Sequence, residues 1–454
     1  MYLRPNPLLL SSTFHARGFS RQWSRGLSGK PGTTVYKSSL VSGPKEDLSP
    51  VGKMLVSSIK ATGPISVAQY MRQALQHPIG GYYKVHGDVL GTQGDFITSP
   101  EISQMFGELL GVWFVANWRL RPRTVPIRII ELGPGRGTLM KDMLRAMRRF
   151  GDFYRHIQGI HLVESSNHLF QRQKDSLGVA DCTADSLHSA SSSPQAATTN
   201  SKGVSGTTES GISVEWYPTL QNINLDDTAF NVVVAHEFFD ALPVYKFQRI
   251  AQGWREILVD IDDSKSSPHH FRFVLGTTPS LASQTLLKSS HISSAQFQPG
   301  DCIEIAPDSW DVARGIAELV GNQQGCAAVI DYGANHVFAE SLRAIRKHKF
   351  VHPLSQPGLV DLTADVDFSL LKHAVGELAN CYGPIQQNEF LGRMGIETRL
   401  STLLKNITSA KEQEELILGY NRLVDPSFMG KVYKVMAIAE KGMTPVVFES
   451  AEHS

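Results

Sequence analysis

Cysteine is nearly absent: Cys182, Cys302, Cys326 and Cys381 are the four in 454 residues, and no two form a CxxC pair. That spacing argues against a disulfide framework and a paired-thiolate zinc site, so no metal is expected. An excess of charge of either sign is missing too. Lys and Arg number 44 against 43 Asp and Glu, a formal net charge of +1. Binding a polyanion needs a basic stripe, so nucleic acid is not an expected partner. No run of about 18 apolar residues occurs, so neither a membrane-spanning helix nor stable membrane insertion is expected. One local absence is informative: no acidic residue precedes Glu46.

What fills that acid-free start is Arg4, Arg17, Arg21, Arg25, Lys30, Lys37 and Lys45, with abundant serine and with Leu8, Leu9, Leu10 and Phe14 among the arginines. A cationic, hydroxylated, acid-free leader has the composition of a mitochondrial transit peptide, and residues 1–45 are read as one. The chain as a whole is 41% hydrophobic and long enough for more than one domain. Residues 46–125 read as an N-terminal helical and lid segment. It has two helices split by Gly63-Pro64, a glycine-rich loop, then a long apolar helix opened by Ser99-Pro100-Glu101. Residues 126–243 alternate strand and helix signals, which implies a parallel sheet covered on both faces. Within them 186–211, rich in Ser, Thr, Ala and Gly, reads as a flexible insertion. VYKFQRI, GWREILVDI and HHFRFVL read as a β-meander, a β-rich substrate subdomain over 244–300. The α/β text resumes over 301–440, and 441–454 form a tail.

The chemistry-bearing stretch is IIELGPGRGTLMKDML, residues 129–144. A dinucleotide fingerprint needs glycine at the position of Thr138, and a phosphate-binding P-loop needs a lysine that is not there. Phosphate cradling is therefore the weaker reading. The form acid-x-Gly-x-Gly-x-Gly, Glu131 with Gly133, Gly135 and Gly137, resembles motif I of S-adenosyl-L-methionine (SAM)-dependent methyltransferases. Glycines let backbone approach the ligand, and a helix starting near Thr138 offers N–H groups to a carboxylate. Glu131 suits the ligand's ammonium. Glu164, closing the next strand, suits the two ribose hydroxyls. Trp216, by stacking, and Asp185, at the exocyclic amine, are the candidates for adenine.

At the end of the buried strand FNVVVA comes HEFFDALP, His236 to Pro243. Glu237 and Asp240 are three apart, so one helical turn would put both on one side. Paired carboxylates suit a cationic nitrogen nucleophile: they fix a guanidinium's plane and can take the proton released on transfer. They are the catalytic candidates. Phe238 and Phe239 fit core packing better than cation–π contact, and His236 a structural role better than a base. DFITSPEI, residues 95–102, is a candidate lid, and Asp331-Tyr332-Gly333 a candidate border of the substrate cleft.

GPISVAQYM, HPIGGYY, GDFITSPEISQMFGELLG, ELGPGRGTL, HEFFDALPV, DYG, DLTADVDF and QNEFLGRMGI follow one another in this order. Together they resemble the MidA-like methyltransferase family over about residues 50–440. The resemblance implies a seven-stranded Rossmann-like α/β methyltransferase fold with SAM as cofactor. It implies a protein arginine ω-N-methyltransferase of the mitochondrial matrix. It implies symmetric dimethylation of an arginine on a core peripheral-arm subunit of respiratory complex I, in the assembly of that complex. The competing expectations are a non-catalytic SAM-binding assembly chaperone and a methyltransferase acting on a small molecule.

Overall fold

The computed structural model describes residues 45–85, 97–122, 124–184, 187, 203–223, 229–264, 267–290, 292–293 and 296–448. The leader before Lys45, Asp185, and Asp95 and Phe96 of the candidate lid lie outside the described residues. Strands are numbered in chain order as β1 Ile65–Ser66, β2 Ile127–Leu132, β3 Ile157–Val163, β4 Val179–Ala180, β5 Val204–Thr208, β6 Ser213–Tyr217, β7 Phe230–His236, β8 Tyr245–Ile250 and β9 Gly253–Ile261. They continue as β10 Phe271–Leu275, β11 Cys302–Ile305, β12 Gly325–Ala334, β13 Arg343–Arg346, β14 Lys349–Val351, β15 Asp361–Thr363, β16 Val366–Asp367, β17 Asn380–Gln386 and β18 Tyr433–Ala439.

β2 (IRIIEL) and β7 (FNVVVAH) are buried at every position, as strands covered on both faces must be. They form the centre of a sheet whose order runs β6-β3-β2-β7-β12-β18-β17. The pairs from β6 to β12 are parallel, and β18 is antiparallel to both β12 and β17. That is the seven-stranded α/β arrangement expected. The strand order reverses between β2 and β7, so the carboxyl ends of these two strands open the crevice where such sheets bind ligands. One helical face carries Gln104–Trp118 against Thr138–Met147. A Cβ on Gly111 would stand 2.9 Å from the Met143 carbonyl oxygen, so only glycine permits this approach.

Three boundaries differ from the sequence reading. The long helix does not start at Ser99. A single turn, Ser99–Ile102, stops at Ser103, whose extended backbone (φ −159°, ψ 133°) breaks the helix and whose hydroxyl caps the next one at Met105 N. The stretch 186–211 is not an insertion throughout. Its last part, β5, adds to the sheet edge antiparallel to β6, with Val204 opposite Trp216, and β4 adds outside it. Composition hid this strand: Val204, Gly206 and Thr208 alternate inward, but two of the three are residue types read as loop. The core also resumes later than residue 301. β11 is the last strand of the β-rich sheet, whose order is β1-β9-β8-β11 with β10 also on β9. Ile303 and Ile305 point into a cluster with Phe247 and Trp254, and the core resumes with the helix Pro307–Gln323.

Candidate active site

The glycine loop hangs between β2 and the helix Thr138–Met147. Gly133, Gly135 and Gly137 all lie in the left-handed region, at φ 63°, 54° and 80°. A side chain at 133 or 137 would be strained there. A Cβ on Gly133 would also stand 3.0 Å from the Phe238 ring. Gly137 caps the helix without a side chain, leaving the first N–H groups of that ten-residue helix facing the loop. Glu131 is 2% exposed, and its Oε2 has no hydrogen-bond partner among the described residues. Burial alone pushes its carboxyl up to about 8.

Glu164 follows β3 and is buried. Its Oε1 accepts the N–H groups of Ser165 and Ser166, each at 2.7 Å, and its Oε2 accepts Gln173 Nε2 at 2.9 Å. Burial raises its pKa, against these three donors and the nearby Lys84. Gln173 also donates to the Gly135 carbonyl at 2.7 Å, which ties the glycine loop to the Glu164 carboxylate.

Trp216 is a correction. It is fully buried, edge-on to Phe170 with centroids 5.0 Å apart, and its Nε1 donates to Gln173 Oε1 at 2.9 Å. The ring belongs to the core and offers no face for stacking. It instead holds the glutamine that holds Glu164.

The second half of the site starts where β7 ends. Glu237 takes φ 48°, and a short 3-10 turn follows over Phe239–Ala241. The two catalytic candidates are therefore brought together by a left-handed kink and a 3-10 turn, not by a turn of α-helix. Both residues are of intermediate exposure, and the Asp240 carboxylate adds negative charge beside Glu237. Glu237 is pushed up to about 8, by burial first and then by Asp240, with the Tyr433 hydroxyl and the Ser99 N–H (3.4 Å) opposing. Asp240 is raised by burial, against Tyr332, Thr363 and Arg343. Its Oδ2 accepts Thr363 Oγ1 at 2.7 Å and the Tyr332 hydroxyl; its Oδ1 is buried with no partner among the described residues. His236 is held neutral, pushed down to about 3 by burial, and packs on Phe106. Phe239 is core; the Phe238 ring lies between the two halves, against Gly133.

Residues to which the sequence reading gave no individual role link the halves, Ser99 and Glu101 of the candidate lid among them. Glu101 accepts Thr138 Oγ1 at 2.6 Å and Arg136 Nη1 at 3.1 Å, gripping the end of the glycine loop, while Ser99 in the same turn reaches Glu237. From the helix Tyr82–Val85, Tyr83 donates to Asp361 at 2.9 Å and Lys84 Nζ to the Ser165 carbonyl. The only signal for them lay in the HPIGGYY and SPEI motifs.

A left-handed side-chain-free loop, a helix start and an orphan buried carboxylate oxygen fit a ligand with a carboxylate and an ammonium. A family model described as an S-adenosyl-L-methionine-dependent methyltransferase matches residues 109–385. The chain belongs to this family. Glu131 and the glycine loop could hold the amino-acid end of its cofactor, SAM; Glu164, with three donors already on its carboxylate, keeps one acceptor position for a ribose hydroxyl rather than the two expected. Among curated relatives, the "Protein arginine methyltransferase NDUFAF7, mitochondrial" of Xenopus tropicalis is 40% identical over 385 residues, covering 85% of this chain and 84% of that one. The human protein of the same name is 38% identical over 393 residues, covering 86% and 83%. A solved superfamily member from Burkholderia thailandensis, bound to S-adenosyl-homocysteine, shares the fold at a TM-score of 0.66 and 24% identity, covering 88% of this chain and 96% of that one. This chain is thus a SAM-dependent methyltransferase of the MidA-like family, with an α/β methyltransferase fold.

Proposed function

We propose that the acceptor is an arginine side chain of a protein, methylated on a terminal guanidinium nitrogen, with Glu237 and Asp240 as the catalytic pair. The observation that carries this is the unpartnered, buried Asp240 Oδ1 beside Glu237. A buried carboxylate oxygen without a donor is costly unless a cation completes it. A planar guanidinium carries several donors, enough to satisfy two carboxylates at once. The curated relatives' printed names support the same reading.

When bound, SAM supplies a methyl group on a positively charged sulfur. The chain's own part is orientation and proton handling. Glu131 and Glu164 hold opposite ends of the donor. Glu237 and Asp240 fix the guanidinium plane, and a nitrogen that gains a methyl group must lose a proton. Glu237, pushed up to about 8, must first ionise; a guanidinium beside it favours its charged form, which can then take the proton. The Phe238 ring and the 99–102 turn help to exclude water between the halves.

We further propose that the target lies on a core peripheral-arm subunit of respiratory complex I in the mitochondrial matrix, that dimethylation is symmetric, and that it serves assembly of that complex. The acid-free leader and the word "mitochondrial" in the relatives' names support the compartment.

The test is label transfer from methyl-labelled SAM to a mitochondrial protein extract and to arginine peptides. Label is expected in a protein band and, on hydrolysis, in methylated arginine. kcat/KM should rise with pH towards a plateau above about 8, because the free enzyme must lose the Glu237 proton. Asp240→Asn and Glu237→Gln should each lower kcat about 100-fold or more while SAM affinity stays within about threefold. Label confined to small molecules, or an active Asp240→Asn enzyme, would overturn the assignment.

A further inference from the structure

Beyond the pair itself, β12 ends in two residues that both act on Asp240. Asp331 is fully buried; its Oδ2 accepts the backbone N–H groups of Phe239 (3.1 Å) and Asp240 (3.3 Å), and its Oδ1 accepts Tyr332 N at 3.0 Å. Its carboxylate thus pins the 3-10 turn on which Asp240 rides. Tyr332 then turns its hydroxyl onto Asp240 Oδ2, beside Thr363 Oγ1, which donates to the same oxygen at 2.7 Å. The ring is held in turn: Arg343 lies over it at 4.9 Å and is anchored by Asp365 at 2.6 Å, while Tyr433 meets it edge-on at 5.5 Å. One carboxylate oxygen is fully occupied by this arrangement and the other is left bare.

We infer that Asp331 and Tyr332 are the positioning residues of the acceptor site, Asp331 fixing the backbone of Asp240 and Tyr332, with Thr363, fixing its carboxylate so that Oδ1 alone faces the incoming nitrogen. The inference rests on the guanidinium reading above and names what gives that site its geometry. Neither residue touches the substrate. With Oδ2 tied down, the carboxylate plane cannot rotate, and its free lone pairs keep one direction. A carboxylate held by two hydroxyl donors also ionises more readily than a bare buried one. The charged and titratable groups around Asp240 are Tyr332 and Asp331 on β12, Arg343 on β13, Asp361 on β15, Glu237 beside it, Tyr433 on β18 and Tyr83 from the N-terminal segment, with the neutral Thr363 hydroxyl as a further donor. Removing one hydroxyl leaves the others in place.

The experiment is steady-state methylation of an arginine peptide by the full chain and its Tyr332→Phe variant, across pH, beside calorimetric titration of each with SAM. The phenyl ring keeps the packing with Arg343 and Tyr433. The expected result is a fall in kcat of about 10- to 100-fold, with KM changed less. The acid limb of kcat/KM, set by Glu237 alone in the unaltered enzyme, should broaden and move to higher pH, because Asp240 loses a donor that favours its charged form and must then ionise as well. SAM affinity should be unchanged. Thr363→Val should shift the limb in the same direction, and it serves as the readout if Tyr332→Phe fails to fold. An unmoved pH limb with an unchanged kcat in a folded variant overturns the inference. So does a loss of SAM binding that matches the loss in rate. If the unaltered enzyme methylates no arginine, it is the acceptor assignment that fails, and this outcome is distinct from both.

Discussion

Three buried carboxylate oxygens have no hydrogen-bond partner among the described residues, and two of them, Glu131 Oε2 and Asp240 Oδ1, stand one in each half of the site. For Glu131 this has a direct thermodynamic consequence. With its carboxyl near 8, the free protein carries it largely protonated at pH 7. An ammonium arriving beside it favours the charged form, so binding SAM must release a proton. Titrations at pH 7 in buffers of different ionisation enthalpy should report up to about one proton released, and Glu131→Gln should abolish most of it while weakening binding. Zero release by the unaltered protein would place Glu131 away from the ligand's ammonium. At this scale the sequence was readable wherever function resides in consecutive residues. Glu131, the three glycines and Glu164 lie where a strand–loop–helix pattern places them. Trp216 misled because a tryptophan suits either a ligand or a core. Its pairing with Leu162 on β3 is decided by register, which local text does not fix.

At the scale of elements, the two short helices Tyr82–Val85 and Ser99–Ile102 do the same job twice. Each sends one residue to the cofactor half, Lys84 or Glu101, and one to the acid half, Tyr83 or Ser99. The Ser99–Ile102 turn is separated from the long helix by the extended Ser103, so it can be loosened without unravelling the core. Glu101→Ala removes both the Thr138 and the Arg136 contacts. It should weaken SAM binding about tenfold, ~1.4 kcal/mol, with little change in melting temperature. An unchanged SAM affinity would show that the grip is incidental. None of this was legible beyond a helix-opening motif. The bond from Tyr332 to Asp240 spans 92 positions and that from Thr363 spans 123. Such partners are set by which strand ends meet at the sheet's edge, and a single sequence does not state this.

Across the whole molecule, the buried acids leave a signature in stability. Glu131 and Glu237 hold their protons to about 8 when folded, against an ordinary value of 4.5. Between those limits the unfolded chain has already released protons that the folded chain retains, so stability falls as pH rises. His236 acts in the opposite sense, but only below its ordinary 6.5, because it stays neutral when folded. From pH 6.5 to 8 the acids therefore act alone. The melting temperature should fall across that window with a slope of at least about two protons, since the buried Asp331 is raised in the same sense, and saturating SAM should reduce it. A melting temperature that rises with pH there would show these carboxylates to be ionised already. The parallel, doubly covered part of the sheet was foreseeable from alternating strands and helices. The late return of the chain to the core after β11, and the added edge strand β5, were not: in each, a few inward residues separate a strand from a loop.

The near-contact between Gly133 and the Phe238 ring makes donor and acceptor loops neighbours across a single wall. The left-handed backbone at 133 bars a side chain there whatever stands opposite, so the ring at 238 can rely on that bare surface while the positions around both change freely.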